Sequence, residues 1–340
     1  MLKFSLLISV YNGSKYLGRL FGSLLKQDIP LSDYEIVCID DCSSDDSVKI
    51  IQEYQSQFPN VRLMLNEKKC RVATNVNKLT ACATGKYFWL IGQDDYIEDD
   101  CLGMLWERLE KESLDVLLFN YKRVAADETV LQECKVFTSA QKHDGVSFLK
   151  SQFADRDYCQ YVLGFEWRGV YRTDYWRGKE IRCVDGMNYE DTVIMLKAIV
   201  YSSAVASIDE MLYYYRLNSG SISFKENFIK RGDLIYEFAF VVGDEVEDFY
   251  YQLLSVDGSL ADSLRMHLIK RYNNYSFDLI RTTKEYKKEF YNRVSKNREF
   301  VDSKRKWLNV ESKLLILPFV GFPIACVCEW IYRLKKSVLG

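Results

Sequence analysis

Tyr87-Phe88-Trp89-Leu90-Ile91 is an unbroken apolar run, and it stops on Gly92-Gln93-Asp94-Asp95. A strand that is apolar on both faces is the habit of a parallel sheet covered by helices on each side. Its end on two carboxylates points to function, because ligands of open parallel sheets bind outside the carboxyl ends of the strands. The same combination recurs to either side. Phe4–Val10 is a second apolar run, followed by Tyr11-Asn12, and residues 35–39 form a third that ends at Asp40-Asp41. Between them, residues 15–27 place Tyr16, Leu20, Leu24 and Gln27 at helical spacing. Ser44 stands where it would cap a helix over 45–58. Val61–Leu65 reads as a strand, 72–83 and 102–111 as helices, and 116–121 as a further strand. Strands alternating with helices in this way predict an α/β fold, a mainly parallel sheet with flanking helices.

Beyond this region the pattern loosens. Residues 122–185 are irregular and rich in aromatics, 189–201 read as a helix, and 204–208 and 211–216 as two short strands. Residues 225–306 are helical, polar and charged, with a connection at 255–259. The expected organisation is an α/β domain over 1–222, a helical region over 223–306 and a basic, apolar tail over 307–340.

The 340 residues carry 46 Lys+Arg and 48 Asp+Glu, a net charge of −2 that argues against a general nucleic-acid binder. The balance is uneven. Residues 301–340 hold seven basic and three acidic side chains, so this tail is +4 and the remainder −6. No two of the ten cysteines are separated by the two-residue gap of a zinc knuckle, and with two histidines, His143 and His267, a zinc site lacks ligands. Reduced, structural cysteines are expected. The apolar N-terminus runs into Tyr11-Asn12-Gly13-Ser14 rather than a small-residue cleavage site, so it reads as a buried strand and the chain as cytoplasmic.

Two carboxylate pairs at neighbouring strand ends repel each other unless a cation or hydrogen-bond donors stand between or beside them. Hard oxygen ligands suit Mg²⁺ or Mn²⁺, which engage one or two carboxylates while a substrate diphosphate fills other positions. Neither G-x-x-x-x-G-K nor G-x-G-x-x-G follows the first strand, so a bound nucleotide would meet metal and side chains rather than a glycine loop.

Ser9-Val10-Tyr11-Asn12, Ile39-Asp40-Asp41-Cys42-Ser43-Ser44-Asp45-Asp46-Ser47, Ala83-Thr84-Gly85-Lys86-Tyr87 with Gln93-Asp94-Asp95-Tyr96, and Tyr189-Glu190-Asp191 follow one another in the chain. In that order they resemble family-2 glycosyltransferases of the GT-A fold. Trp167-Arg168-Gly169-Val170-Tyr171-Arg172 and Tyr213-Tyr214-Tyr215-Arg216 extend the resemblance, which covers about 1–222. It implies inverting transfer from a nucleotide-sugar, usually a UDP-sugar, to a glycan or lipid-linked acceptor. In that reading Ser9 lies in the donor site, Tyr11 stacks on or flanks the base, Asp41 beside Asp40 bonds its edge, and Asp94 and Asp95 hold the ribose and the metal. Asp191, next to Glu190, is the general base. Gly92 stands where many members have Asp, so the metal ligand is Asp94 or Asp95. Arg71, before the Asn75 segment, replaces a frequent Gly and either faces the donor phosphates or covers a helix start. Arg216 either reaches a phosphate or stacks on tyrosines, and Trp167 is either an acceptor platform or core.

A nucleotidyltransferase would want a glycine-rich basic loop after the first strand, which 11–15 do not supply. A non-catalytic glycan- or nucleotide-binding protein fits Gly92 but not the retained Asp94, Asp95 and Asp191. In the tail, the uncharged run 314–328 would span only about 22 Å as a helix, short of the ~30 Å hydrocarbon core, and it contains Pro318 and Pro323. Aromatic and basic flanks, with Lys304, Arg305, Lys306 and Trp307 on one side, suit a segment lying in a membrane interface at the inner face of the plasma membrane. The alternative is a helical hairpin packed on the protein or on a second subunit.

Overall fold

Seven residues almost wholly withdrawn from water, Phe4–Val10, form strand β1 in the interior of a ten-stranded sheet. The computed structural model describes residues 2–153, 164–187, 191–218, 235–281, 284–317 and 321–328. Strands β2 (Tyr34–Asp40) and β4 (Tyr87–Gly92) flank β1 in parallel, and β3 (Val61–Leu65) lies parallel beyond β2. Helices α1 (Ser14–Leu24), α2 (Ser47–Gln57) and α3 (Val72–Cys82) make the crossovers. Every residue of β2 is buried, which explains why its run shows no apolar–polar alternation.

Helix α2 starts later than expected, and Ser44 does not cap it. The Asp45 carboxylate accepts from the amide and hydroxyl of Ser47 and from the amide of Ser14. Ser44 instead donates its amide to Asn12 Oδ1. The loops after β1 and β2 are thereby stitched together.

The second half of the sheet departs from the parallel expectation. It comprises β5 (Tyr96–Ile97), β6 (Val116–Val124), β7 (Val130–Cys134), β8 (Ala140–His143), β9 (Gly169–Arg172) and β10 (Val205–Arg216). The order is β3-β2-β1-β4-β9-β6-β10-β5, with β7 on β6 and β8 on β10. Strand β9 is antiparallel to both β4 and β6, so those two run in the same direction, and β10 is parallel to β6. The two short strands expected over 204–216 are one strand. Its register shifts between Ser207 and Met211, where Asp209 and Glu210 are exposed. The carboxyl ends of β1, β2, β4, β6 and β10 and the amino end of β9 therefore share one edge of the sheet.

At the opposite edge Glu35 accepts from the Ser5 hydroxyl at 2.6 Å and the Thr84 amide at 2.7 Å. Gly85 packs so closely there that a Cβ would overlap the Phe4 carbonyl carbon and the Ser5 amide nitrogen. Because backbone cannot move aside cheaply, Gly85→Ala is expected to cost about 2–3 kcal/mol of stability, measured by denaturant unfolding.

The chain divides into two compact units, Met1–Asn218 and Ser219–Gly340. In the first, helices α4 (Leu102–Glu112), α5 (Gly145–Phe153), α6 (Thr173–Gly178) and α7 (Asp191–Val200) complete the layers over the sheet. The second is helical, and α8 (Val242–Leu254) packs on α9 (Gly258–Arg281). Lys304 is buried between Asp244 and Glu247, while the Tyr272 hydroxyl donates to Glu247. The first part of the expected tail is knit into this unit. Asn273 holds Trp307 O and Asn309 N, and the Tyr291 hydroxyl donates to Leu315 O. Leu315, Ile316 and Ala325 are buried, whereas Val310 (71% exposed), Leu314 and Val327 are not. Among the described residues no helix is long and apolar enough to cross a membrane.

Candidate active site

The sheet edge gathers three polar groups. At the first, Gln93 bridges the ends of β4 and β1: its Oε1 accepts from Tyr11 N at 2.8 Å and its Nε2 donates to Tyr11 O at 3.0 Å. The Tyr11 ring is 40% exposed, with the Lys69 ammonium 3.3 Å from its centroid. Asp41 is buried, and its carboxylate accepts from Asn66 Nδ2 (2.8 Å), Cys70 N (2.7 Å) and Arg71 N (3.0 Å). Three of its roughly four acceptor positions are thus used on the 66–71 loop, so Asp41 anchors that loop. Asn66 also donates to Asn75 Oδ1, and Asn75 donates to Ser9 Oγ at 3.1 Å. Ser9, Asp41 and Asn75 are consequently one network through Asn66, a residue that sequence reading passes over. Asp40 accepts from Ser43 N through Oδ2, and its Oδ1 is buried with no hydrogen-bond partner.

Arg71 has φ 69° and ψ 166°. That region is essentially reserved for glycine and costs other residues about 1–3 kcal/mol. The conformation aims its amide at Asp41, while its guanidinium donates to Gly186 O at 3.1 Å, on the segment leading to Asp191. Relief of the strain offsets the lost hydrogen bond, so Arg71→Gly is expected to keep or raise the melting temperature. A fall of several degrees in a thermal melt would show that the backbone there is not strained.

The second group separates the neighbouring acids. Asp95 points inward, is buried, and accepts from the Tyr213 hydroxyl (2.6 Å) and Arg216 N (2.8 Å). Burial, and then the Asp94 charge, push its pKa well above the carboxylate range. Asp94 is half-buried, with Asn218 Nδ2 at 3.4 Å, and burial raises its pKa as well. Arg216 does not present its guanidinium to a ligand. It is buried and donates to Asp94 O, Ala126 O and Glu128. Among the described residues no three of His, Cys, Asp and Glu converge as a ready-made metal cage. A divalent cation, if bound here, would rest on one carboxylate plus substrate phosphates, and Asp94 is the one less buried.

The third group surrounds Asp191, the first residue of α7. Its Oδ2 accepts from Phe165 N at 3.0 Å. Phe165 and Gly164 both have positive φ, and a Cβ on Gly164 would lie 2.9 Å from the same oxygen. Glu166 and Arg168, neither singled out as a site residue from sequence, are buried beside it. Burial, and then the Asp191 charge, raise the Glu166 pKa to about 8, and burial lowers that of Arg168 to about 10. Glu190 lies outside the described residues. Trp167 is core, not an acceptor platform. It is 8% exposed and stacks on Tyr213 with centroids 4.3 Å apart, linking the second group to the third.

Comparison with known proteins agrees with this architecture. The model of the family described as glycosyl transferase family 2 matches residues 5–166. The poly(ribitol-phosphate) beta-N-acetylglucosaminyltransferase TarS of Staphylococcus aureus is 25% identical over 285 residues, covering 81% of this chain and 46% of TarS. Glycosyltransferase GlyG of Streptococcus pneumoniae is 24% identical over 296 residues, covering 83% of this chain and 92% of GlyG. The chain thus spans less than half the length of the TarS relatives it matches. The crystal structure of S. aureus TarS 1-349 in complex with UDP-GlcNAc superposes with a TM-score of 0.65 at 20% identity, covering 98% of this chain and 92% of that one. That likeness shows the fold, a GT-A-type α/β domain followed by a helical region.

Proposed function

We propose that this chain, whose residues 5–166 match the model of glycosyl transferase family 2, moves a sugar from a nucleoside-diphosphate sugar to a hydroxyl of a glycan or lipid-linked acceptor, with inversion at the anomeric carbon. The observation that carries the reading is the arrival of two differently held acids at one sheet edge. Asp94 is half-buried at the end of β4, and Asp191 is fixed by the Phe165 amide at the start of α7. Asp191 accepts the proton of the acceptor hydroxyl as its oxygen bonds to the anomeric carbon. The bond from that carbon to the diphosphate oxygen breaks, and the nucleoside diphosphate leaves with the electron pair. A Mg²⁺ or Mn²⁺ ion, when bound at Asp94, supplies charge neutralisation for the departing diphosphate. Tyr11 and Arg71 stand on the donor side, and the 66–71 loop that Asp41 anchors shapes it.

The name and bound ligand of the TarS neighbour support a UDP-sugar donor, with UDP-GlcNAc the first to test. The experiment is release of UDP from a panel of UDP-sugars, with and without Mn²⁺ and with candidate acceptors. Failure to bind or turn over any nucleotide-sugar would remove the reading. We further infer that the chain works at the cytoplasmic face of the plasma membrane and touches it peripherally through 307–340. Exposed Val310, Leu314 and Val327 support that contact, although Lys304, Arg305 and Lys306 are ion-paired within the helical unit. Flotation with anionic liposomes tests it, and equal recovery of full-length protein and a chain ended near Arg305 in the soluble fraction would count against it.

A further inference from the structure

Beside Asp191 the β6–β7 hairpin and the turn at 164–168 border a cavity of about 540 Å³. Its lining includes Tyr121, Arg123, Gln132, Lys135, Phe165 and Arg168, with Glu133 the single acid among the described residues. Phe165 is the residue whose amide holds Asp191, so the cavity and the proposed base share a wall. Its charges are not equivalent. Arg168 is buried against Glu166 and Asp191, which already offset it. Arg123 and Lys135 have no such partner: among the described residues neither makes an ion pair. Arg123 donates to Gln132 Oε1 at 3.3 Å, yet its Nε is buried with no acceptor among the described residues. The register sets Arg123 opposite Gln132 and Tyr121 opposite Cys134, so these four side chains share one face of the hairpin.

A buried guanidinium donor without an acceptor is costly unless a ligand satisfies it. Guanidinium binds phosphate in a two-pronged geometry, and a nearby ammonium adds a point charge. A neutral glycan would leave both charges unused. We propose that this cavity receives the acceptor and that Arg123 and Lys135 bind a phosphate of it, so that the acceptor is a phosphate-bearing polyol or glycan chain. The proposal rests on the glycosyl-transfer reading and names the substrate class for it.

The test uses the full chain, UDP-GlcNAc, a short ribitol-phosphate oligomer and a neutral oligosaccharide. Arg123→Gln and Lys135→Gln are each expected to raise KM for the phosphate-bearing acceptor about tenfold, the size of one charge-assisted contact. Arg123→Lys should recover part of that loss. UDP-GlcNAc affinity by calorimetry should stay at the wild-type value in all three. Wild-type KM should climb with salt for the phosphate-bearing acceptor and not for the neutral one. Normal donor binding with an unmoved KM in the double variant would overturn the proposal alone. So would wild-type preference for the neutral acceptor. Absence of nucleotide-sugar binding by the wild type would instead overturn the glycosyl-transfer reading, and this proposal with it.

Discussion

Asp191→Asn is expected to lower turnover by about two to four orders of magnitude, the usual worth of a positioned general base. Donor affinity should hardly change. The carboxamide keeps an oxygen that can accept from Phe165 N, so the turn that positions it survives, but it cannot take up the acceptor's proton. Neighbouring Glu166 offers no substitute. Burial, the larger cause of its raised pKa, remains when the Asp191 charge is removed, so its carboxyl stays biased toward the protonated form and is a poor proton acceptor. Steady-state kcat together with calorimetric donor binding checks the prediction, and near-normal turnover would remove Asp191 from the mechanism.

The neighbouring pair Asp94 and Asp95 should respond in opposite ways. Asp95→Ala strips the Tyr213 hydroxyl and Arg216 N of their acceptor inside the protein. Each buried donor left unmet costs about 1–3 kcal/mol, so stability should fall by about 2–6 kcal/mol in total. Asp94→Asn removes a half-buried carboxylate whose side-chain contact is the 3.4 Å approach of Asn218, so the melting temperature should barely move. Its effect belongs to catalysis, where the loss of one group stabilising leaving-group charge is worth about 10²–10³ in kcat. Mn²⁺ titration in the presence of UDP-sugar, beside thermal melts, separates the two variants. A stable Asp95→Ala protein that has lost metal dependence would reverse the assignment.

The extent of sequence legibility follows from where the physics is local. Strands β1 and β3 fall at Phe4–Val10 and Val61–Leu65 as read from sequence, and β2 and β4 lie within one residue of their expected ends, because continuous apolar runs bounded by polar clusters leave little choice. Strand β9 escapes because it is four residues long and its partners lie far along the chain. The strand over 205–216 looks divided because its bulge exposes Asp209 and Glu210. At the site, acidic pairs at strand ends can be found from sequence. Their division of labour cannot, since it is Tyr213 and Arg216 that draw Asp95 inward, and Asn66, Cys70 and Arg71 that occupy Asp41. Trp167 reads the same way in sequence as platform or as core. Only its stacking on Tyr213 decides.

The antiparallel strand between β4 and β6 also bears on how the protein can be cut. The family match ends at 166, three residues before Gly169, where that strand begins. A polypeptide stopped there would have neither Gly169–Arg172 nor Val205–Arg216, leaving the facing backbone groups of β4 and β6 bare. Open strand edges recruit other chains, so such a fragment should aggregate where one carried through Asn218 should stay dispersed. The stretch recognisable by kinship is therefore shorter than the compact unit Met1–Asn218 to which it belongs.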